Sequence, residues 1–535
     1  MRPPMKTDTV TVAALAAALA VAVAASIAMI VMRTPEPRGS VSAAEVAEGP
    51  APAAKRELRG MWITTVGNLD WPSKPGLSVA RQKAEYRKLL DTAQRLNLNA
   101  VFVQVRPVGD VFYPSSYEPW SQYLTGKQGR DPGYDPLAFM LEETHKRNLD
   151  FHAWFNPYRA AGPGAAGGLA ANHMAKKHPD WVIKYGGSLY LDPGNPAVRD
   201  HMRKVVDEVV TKYDIDGVHL DDFFYPYPIP GQRVNDDASY KKYGDGKSRA
   251  TWRRANVDAL ISGLNDDIHE EKPWVRFGVS PFGVWRNKST DPKGSNTQAG
   301  VQAYDDIGAD VRGWVKKGWL DYVMPQLYWS VGFKPADYAT LAAWWSRQVK
   351  DTGVKLYIGQ AVYKVGDGPP AAWDDPGELL KHLKVNAEHP EVEGDVYFRA
   401  TNLTANPLKV ADRLADGPYR DPAIPPAAGG SSRPEPVRDL KARADAEGVR
   451  LSWSPAEDAD EEEGRGTTAY AVYRLGHGRP VKDAKLIATF RAGSDAPGYL
   501  DRGAPEGKRN SYLVTALDRL HHESSPSRSE AVTPR

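Results

Sequence analysis

Eight short runs rich in β-branched and aromatic residues recur along the middle of the chain, and stretches with helical periodicity separate them. The runs are residues 59–66, 99–107, 150–157, 216–226, 276–285, 320–329, 355–364 and 394–403. Helical candidates, with apolar residues three and four positions apart, are 78–96, 136–148, 196–213, 250–270, 304–317 and 338–352. Strands that alternate with helices pair in parallel, so eight such units predict a (β/α)₈ TIM barrel.

An open, doubly wound parallel sheet is the competing architecture. Sheets of that kind that bind nucleotides carry a glycine-rich phosphate loop between the first strand and the first helix. We find no such loop after the first run, and the count of eight favours the closed barrel.

The N-terminal segment is apolar and uncharged from residue 10 to residue 32, with Arg2 and Lys6 before it and Arg33 after it. A run of this length can cross a bilayer, whereas the apolar core of a signal peptide is usually shorter. We expect residues 1–33 to anchor the chain in the membrane, with the rest outside the cell. Cleavage within residues 40–54 would instead make the protein secreted.

Two stretches rich in proline, alanine and glycine divide the remainder of the chain. Residues 34–57 predict a disordered linker, and residues 417–436 predict a second linker. They leave a catalytic barrel at 58–416 and a smaller C-terminal domain at 437–535.

Composition excludes several kinds of function. The chain has 69 basic and 67 acidic residues, so a concentrated basic surface for nucleic acid is not expected. It has no cysteine, which excludes disulfides, zinc–thiolate sites and thiol nucleophiles. Aromatic residues make up 10% of the chain, a composition suited to stacking on sugar rings as well as to core packing.

Several predicted strands carry polar residues where a barrel strand should be apolar on both faces. In 99–107, Val101, Val103 and Val105 share one parity, and the polar residues share the other and face the barrel axis. The same analysis of the third, fourth and sixth runs gives one set of side chains expected at the C-terminal mouth, where barrel enzymes keep their active sites. The set is Gln104, Arg106, Asn156, His219, Asp221, Gln326 and Tyr328.

The densest motif is DGVHLDDFFYPYP, at residues 216–228. Cleavage of a glycosidic bond uses two carboxyl groups, and Asp221, on the inward parity, is our candidate nucleophile or base. Asp222 is a second catalytic candidate, although neighbouring residues on a strand seldom flank a bond. We therefore expect another carboxylate from a different loop, with Asp110 first and Asp192, Asp305 or Asp306 as alternatives.

Other residues at strand ends predict a sugar-binding groove. Arg159, Tyr225, Tyr328 and Trp329 complete the predicted substrate-binding set. Further aromatic residues at strand ends or in the following loops are Trp71, Tyr113, Trp120, Tyr123, Tyr158, Tyr227, Trp285 and Trp373. Some of them are expected to pack loops instead.

Two rival chemistries use similar residues. His219, Asp221 and Asp222 could bind a divalent metal, but a second nearby histidine is lacking. A serine nucleophile has no G-x-S-x-G elbow to hold it. We expect neither a metal nor a cofactor.

The motifs RGMWITTVGNLDWPS, QVRPVGDVFYPSSYEPWS, AWFNPYR, LDPGNPAVR, DGVHLDDFFYPYP and DYVMPQLYW resemble those of the family 10 glycosyl-hydrolase-like proteins of bacterial surfaces. The resemblance implies a TIM barrel that acts on glycans, most often peptidoglycan strands. It also implies that Asp221 and Asp222 match the family's strand-four Asp pair, and that Gln104, Arg106, Asn156 and Gln326 match its other mouth residues.

The C-terminal piece resembles a fibronectin type III domain, with Trp453, Tyr473 and Tyr512 in the positions of its core aromatic residues. The sequence thus predicts a surface glycosidase that cleaves peptidoglycan strands. The alternative is a non-catalytic carbohydrate-binding protein on a degenerate barrel, and the sequence does not determine the oligomeric state.

Overall fold

The computed structural model describes residues 56–368, 370–430, 433–455, 466–493 and 497–534. The predicted anchor lies outside this part of the chain, and so do residues 34–55 of the first predicted linker. Among the described residues no helix is both long enough and apolar enough to cross a membrane.

Eight parallel strands close into a barrel, as predicted. They are β1 (Leu58–Ile63), β2 (Ala100–Arg106), β3 (Asp150–Phe155), β4 (Gly217–Leu220), β5 (Arg276–Val279), β6 (Tyr322–Val323), β7 (Lys355–Gln360) and β8 (Val392–Tyr397). Each strand pairs with the next, and β8 pairs with β1 in the register Leu58 to Gly394. The fold is therefore a TIM barrel, and the open-sheet alternative is excluded.

Helices follow the strands and cover the outside of the barrel. The longer ones are Val79–Arg95, Pro136–His145, Pro196–Lys212, Arg249–Glu271, Tyr338–Val349 and Glu378–Ala387. The shorter ones are Gln122–Thr125, Met174–Lys177, Asp237–Tyr243, Val311–Lys317, Ala400–Ala405 and Val410–Asp416.

The helix expected at 304–317 is divided into a turn at Ala303–Ile307 and the helix Val311–Lys317. Gly308 adopts a left-handed φ of 73°, which ends the first segment. Asp310 then caps the second by accepting a hydrogen bond from the Gly313 amide.

The strand parities are confirmed. Phe102 and Trp154 lie in a cluster inside the barrel with Trp62, Tyr322 and Tyr357. The valines of β2, in contrast, pack outward into the larger core shared with the helices. This alternation carries inward side chains of several strands toward one mouth of the barrel.

The loop after β3 forms a small antiparallel sheet of its own, made of Arg159–Ala161, Val182–Tyr185 and Ser188–Leu191. Arg159 opens this sheet, only four residues beyond the end of β3. The sheet therefore holds Arg159 near the C-terminal mouth.

The C-terminal domain contains two antiparallel sheets, one of three strands and one of four. The strands are β9 (Arg438–Asp445), β10 (Gly448–Ser454), β11 (Ala469–Gly476), β12 (Lys485–Arg491), β13 (Gly498–Asp501), β14 (Asn510–Leu517) and β15 (Ser527–Arg528). The sheet orders are β9-β10-β13 and β12-β11-β14-β15. The predicted all-β sandwich is confirmed, and its membership of the fibronectin family stays a prediction.

The three aromatic residues expected in the core of this domain do not share one environment. Trp453 and Tyr512 lie in the core between the sheets. Tyr473 lies on the other face of its sheet, where Ile424 from the segment 417–436 packs beside it. Ile424 also forms a parallel β-bridge with Arg56 and is fully buried, so the predicted second linker is packed against the folded chain at this point.

The C-terminal domain contacts the N-terminal end of the barrel. Its His521 lies 2.8 Å from a carboxylate oxygen of Asp150, at the start of β3. Arg519 forms an ion pair with Asp214 at 2.5 Å, and Glu523 accepts a hydrogen bond from Arg56 at 2.8 Å. The opposite, C-terminal end of the barrel is left with a cleft.

Candidate active site

A cleft of about 190 Å³ opens at the C-terminal mouth of the barrel. Asp221 and Asp222, which directly follow β4, line it together with Arg159, Gln104 and Gln326. Its walls are largely aromatic, formed by Trp62, Trp154, Phe223, Tyr328 and Phe398. Acidic and aromatic side chains in one concave site suit the binding of a sugar.

Asp221 is fixed from two directions. One carboxylate oxygen accepts a hydrogen bond from the Asn156 side-chain amide at 2.8 Å, and the other accepts from the Phe223 backbone amide at 3.2 Å. Only 5% of the residue is exposed. The carboxyl is thus oriented by the strand end next to it and by its own loop.

Asp222 accepts a short hydrogen bond from the Tyr227 hydroxyl. The Gln326 side-chain amide donates to the Ser280 carbonyl at 2.9 Å, and its proximity lowers the pKa of Asp222. Asp222 is thus held by its own loop after β4 and lies near the segment after β6.

Burial and the charge of Asp222 raise the pKa of Asp221 to about 7. Burial also raises the pKa of Asp222, although the hydrogen bond from Tyr227 acts in the other direction. Two adjacent carboxyls that share little water do not both ionise easily. The pair therefore retains a proton near neutral pH, as a general acid requires.

Arg159 supplies a positive charge to the cleft. Its guanidinium lies 3.5 Å from the centre of the Phe223 ring, and its charge partly offsets the rise in pKa of both aspartates. No described carboxylate lies within ion-pair distance of this guanidinium. The side chain is half-buried and available to an anionic group of a ligand.

Gln104 and Asn156 form a chain of hydrogen bonds that ends at Asp221. Gln104 accepts hydrogen bonds from the Thr65 and Val66 amides at 3.0 and 2.9 Å and donates to Asn156 at 2.7 Å. Asn156 in turn donates to Asp221. Gln104 also borders the cleft, whereas Asn156 acts through Asp221.

His219 lies below the floor of the cleft. One ring nitrogen is 2.9 Å from the Ser280 hydroxyl, and the other is 3.2 Å from the Tyr322 hydroxyl. Burial lowers the pKa of His219 well below its usual value, so the ring is neutral. This position does not support the predicted contact with substrate, because His219 is fully buried beneath the residues that line the cleft.

Arg106 also lies outside the cleft. It forms a bidentate ion pair with Glu118 at 2.6 and 2.7 Å and donates to the carbonyl of Asn156. Although burial opposes ionisation, the charge of Arg106 lowers the pKa of Glu118 to about 2. Arg106 therefore ties the loop after β2 to the end of β3.

The structure does not bring Asp110 into the cleft. The residue is fully buried within the loop after β2 and accepts a hydrogen bond from Gln128 at 2.9 Å. Burial raises its pKa to about 7, but Asp110 is not among the described residues that line the cleft around Asp221. Strand parity gives no guide to the direction of a side chain in a loop beyond the strand.

The alternative second carboxylates are also placed elsewhere. Asp192 accepts hydrogen bonds from Ser239 and the Gly194 amide, Asp305 pairs with Arg286, and Asp306 accepts from the Gln302 amide. Within the described part of the chain, the only carboxyl groups that line the cleft are those of Asp221 and Asp222.

Two predicted aromatic contacts differ from expectation. Tyr225 is buried beneath the loop after β4, where Asn256 donates to its hydroxyl. Trp329 packs edge-on against Phe282 and does not line the cleft. Tyr328 and Gln326, from the same segment, do line it.

Trp62, Thr64, Phe223, Ser280 and Phe398 also line the cleft and are not among the predicted site residues. Trp62 and Thr64 share the inward parity of β1, a signal that is present in the sequence. Ser280 and Phe398 each directly follow the last residue of a barrel strand. No group of three or more described His, Asp or Glu side chains is arranged to hold a metal ion.

The C-terminal mouth of this TIM barrel holds an aromatic cleft with a carboxyl pair that retains a proton near neutral pH. This is the architecture of a glycosidase. Comparison with known proteins agrees, since residues 57–375 match the model of the glycosyl hydrolase-like 10 family. The chain belongs to this family and is a glycosidase.

Two curated relatives are named as glycosyl hydrolases. YngK of Bacillus subtilis (strain 168) is 48% identical over 480 residues, which are 88% of this chain and 93% of YngK. DigH of Escherichia coli (strain K12) is 43% identical over 394 residues, which are 70% of this chain and 88% of DigH.

Solved structures resemble the chain more distantly. The glycoside hydrolase domain of PgaB (BpsB) from Bordetella bronchiseptica has a TM-score of 0.42 at 12% identity, covering 67% of this chain and 98% of that one. The endo-1,4-β-mannanase of Rhizomucor miehei has a TM-score of 0.41 at 11% identity, covering 69% and 99%.

Proposed function

We propose that this glycosidase acts outside the cell on wall glycans, and that its substrate is the glycan strand of peptidoglycan. The observation that carries the proposal is the guanidinium of Arg159, which has no described carboxylate within ion-pair distance and lies in the same cleft as the carboxyl pair. Peptidoglycan strands contain a sugar with a lactyl group, whose carboxylate is free once the stem peptide has been removed, and a guanidinium binds such an anion well. A neutral glucan or mannan offers no such group.

The expected location supports the same substrate. Residues 10–32 form an uncharged apolar run of membrane-spanning length, and Arg2 and Lys6 precede it. We propose that this segment anchors the protein with its barrel on the outer side, or directs secretion if it is cleaved. Either outcome brings the cleft to the wall.

We assign proton transfer to Asp221. Burial and the charge of Asp222 raise the pKa of Asp221 to about 7, and Asn156 holds the Asp221 carboxyl in one orientation. A general acid of this kind protonates the oxygen that leaves when the glycosidic bond breaks. Trp154 and Tyr328 supply aromatic surface for the sugar ring.

The test is hydrolysis of purified peptidoglycan strands, with stem peptides intact and removed, followed by mass spectrometry of the products. The wild-type protein should release new reducing ends, faster from strands without stem peptides, and Asp221→Asn should lower the rate by about 10²-fold to 10⁴-fold while its thermal unfolding stays cooperative. Asp412→Asn is the matched control, because Asp412 forms an exposed ion pair with Arg95 outside the cleft.

Full activity of Asp221→Asn would refute the assignment of the residue. Wild-type protein that binds the strands without cleaving them would refute cleavage of peptidoglycan and favour a binding protein. Cleavage of neutral glucans in preference to wall strands would refute the substrate.

A further inference from the structure

The carboxyl groups of the cleft lie on one side of it. Asp221 and Asp222 are consecutive residues at the end of β4. In the closed order of eight strands, β8 lies opposite β4, and β1 is the neighbour of β8. The described residues that β8 and β1 contribute to the cleft include Phe398, Trp62 and Thr64, but no carboxylate.

This placement conflicts with the usual two-carboxylate mechanisms. In those mechanisms the carboxyl groups flank the glycosidic bond, separated by about 5–5.5 Å for retention of configuration and about 6.5–9.5 Å for inversion. The wall opposite Asp221 offers aromatic rings and a hydroxyl, neither of which can act as the nucleophile or activate a water molecule there. The described cleft therefore has no carboxylate opposite Asp221 that could serve as the second catalytic group.

A sugar with a 2-acetamido group can supply the missing nucleophile itself. The carbonyl oxygen of that group reaches the anomeric carbon of its own ring, as in the substrate-assisted glycosidases. Such a reaction needs an acid for the leaving oxygen and an acceptor for the acetamido N–H. Both can stand on the same side of the bond, which is where the aspartate pair lies.

The surroundings of the pair suit this division of work. Tyr227 donates to Asp222 and so fixes its carboxyl in place as an acceptor. Asp221 is oriented by Asn156 and by the Phe223 amide. Trp154 and Tyr328 beside them provide apolar surface for the acetyl methyl group.

We propose that the 2-acetamido group of the substrate is the nucleophile, with Asp221 as the acid and Asp222 as the acceptor of the acetamido N–H. The inference rests on the proposed function and specifies its mechanism. It also restricts the substrate, since the sugar that contributes the anomeric carbon must be N-acylated.

The steps balance as a hydrolysis. The carbonyl oxygen forms a bond to the anomeric carbon, the glycosidic C–O bond breaks, and the Asp221 proton goes to the departing oxygen. The product is a cyclic oxazolinium whose N–H the Asp222 carboxylate stabilises. Water then adds to the anomeric carbon and gives its proton to Asp221, and the ring opens to the original acetamido group with retained configuration.

The experiment uses the full chain and one preparation of wall glycan strands in four forms. These are untreated, chemically N-deacetylated, N-deacetylated and then re-N-acetylated, and N-deacetylated and then N-trifluoroacetylated. The trifluoroacetyl group has nearly the same shape as acetyl but a much less nucleophilic oxygen. We expect turnover of the untreated and re-acetylated strands and loss of turnover of the free amines. For the trifluoroacetylated strands we expect kcat to fall far more than KM changes.

Three further measurements bear on the same inference. Proton NMR of the first products should show retained anomeric configuration, and N-acetylglucosamine-thiazoline, an analogue of the oxazolinium, should inhibit competitively. Asp222→Asn should weaken that inhibition, whereas Asp412→Asn should not.

Unchanged kcat on trifluoroacetylated strands, inverted products or a covalent glycosyl-enzyme would each overturn the inference and leave the proposed function intact. Failure to cleave even the untreated strands would instead refute the proposed function.

Discussion

The two ends of the barrel both contain buried aspartates, and their partners differ. At the N-terminal end, Asp150 accepts from Arg276 at 2.7 Å and lies 2.8 Å from His521 of the C-terminal domain. At the C-terminal end, Asp221 and Asp222 have amide and hydroxyl partners, and no described cation forms an ion pair with either.

The difference in partners reverses the direction of the pKa shifts. Burial opposes ionisation at both ends, yet the charges of His521 and Arg276 hold the pKa of Asp150 well below its usual value. The pKa of Asp216, which lies beside His145, is lowered in the same way. In the cleft, where no such pairing offsets burial, the pKa of Asp221 rises to about 7.

The charged partners distinguish carboxylates that stabilise the fold from carboxyls that are available for catalysis. A paired carboxylate joins the barrel to the C-terminal domain and gains stability from ionisation. An unpaired carboxyl at the mouth costs stability and is available for proton transfer. Burial alone would not distinguish the two.

The largest expected effects come from the same Asp-to-Asn change at each end. Asp221→Asn should lower kcat by about 10²-fold to 10⁴-fold, the usual contribution of a general acid, without loss of stability. Asp150→Asn should lower the free energy of unfolding by about 3–5 kcal/mol, because it leaves Arg276 buried without its charged partner. Activity assays and urea denaturation of both variants check this contrast.

Loss of activity in Asp150→Asn at unchanged stability would contradict the structural role of Asp150. Unfolding of Asp221→Asn would contradict the catalytic role of Asp221. Arg276→Met removes the other charge of the N-terminal pair and should destabilise the protein in the same direction as Asp150→Asn.

A smaller effect is expected for the cation of the cleft. Arg159→Gln should raise KM for strands that carry free carboxylates by about tenfold, the value of one charged hydrogen bond. Arg159→Lys should retain part of the affinity, because it keeps the charge but loses the planar fork. Kinetics on carboxyl-reduced strands are the control, since there the wild type and Arg159→Gln should be equal.

The two ends should also respond oppositely to pH. The pKa of Asp221 is raised in the folded state, so its contribution to stability is fully present below its unfolded pKa and is lost as pH rises through about 7. The pKa of Asp150 is lowered, so its contribution is present above its unfolded pKa and is lost as pH falls. Activity should fall as pH rises through about 7, when the acid loses its proton.

Unfolding of three proteins between pH 2 and pH 8 measures both trends. Asp221→Asn should gain stability relative to wild type as pH rises from about 4 to about 7, and the deficit of Asp150→Asn should shrink as pH falls below about 4, the unfolded pKa of an aspartate. Parallel curves for all three proteins would contradict the assignment of opposite shifts.

The smallest effect is expected for Asp110→Asn. Asp110 is buried as deeply as the catalytic pair, but it lies outside the cleft, and an asparagine can keep its contact with Gln128. Hydrolysis should therefore be unchanged within error. A loss of kcat comparable to that of Asp221→Asn would restore Asp110 as the second carboxylate.

The sequence by itself determined the barrel, the sandwich and the end of the barrel that holds the cleft. These follow from local periodicity, because a strand of alternating parity must send Gln104 and Asp221 to the axis wherever its neighbours lie. Gln326, Tyr328 and Arg159, which the sequence places at strand ends, also line the cleft, and their contact with substrate stays a prediction.

Only the tertiary structure decided which polar residues remain available to a ligand. Arg106 and His219 share the inward parity, yet neither is available to a ligand. Arg106 is paired with Glu118, and His219 is buried beneath the floor of the cleft. Such partners come from loops and strands distant in sequence, and no local pattern encodes their distance. The absence of a carboxylate opposite Asp221 in the described cleft is likewise a property of the closed ring of strands, since it depends on which strand ends face each other.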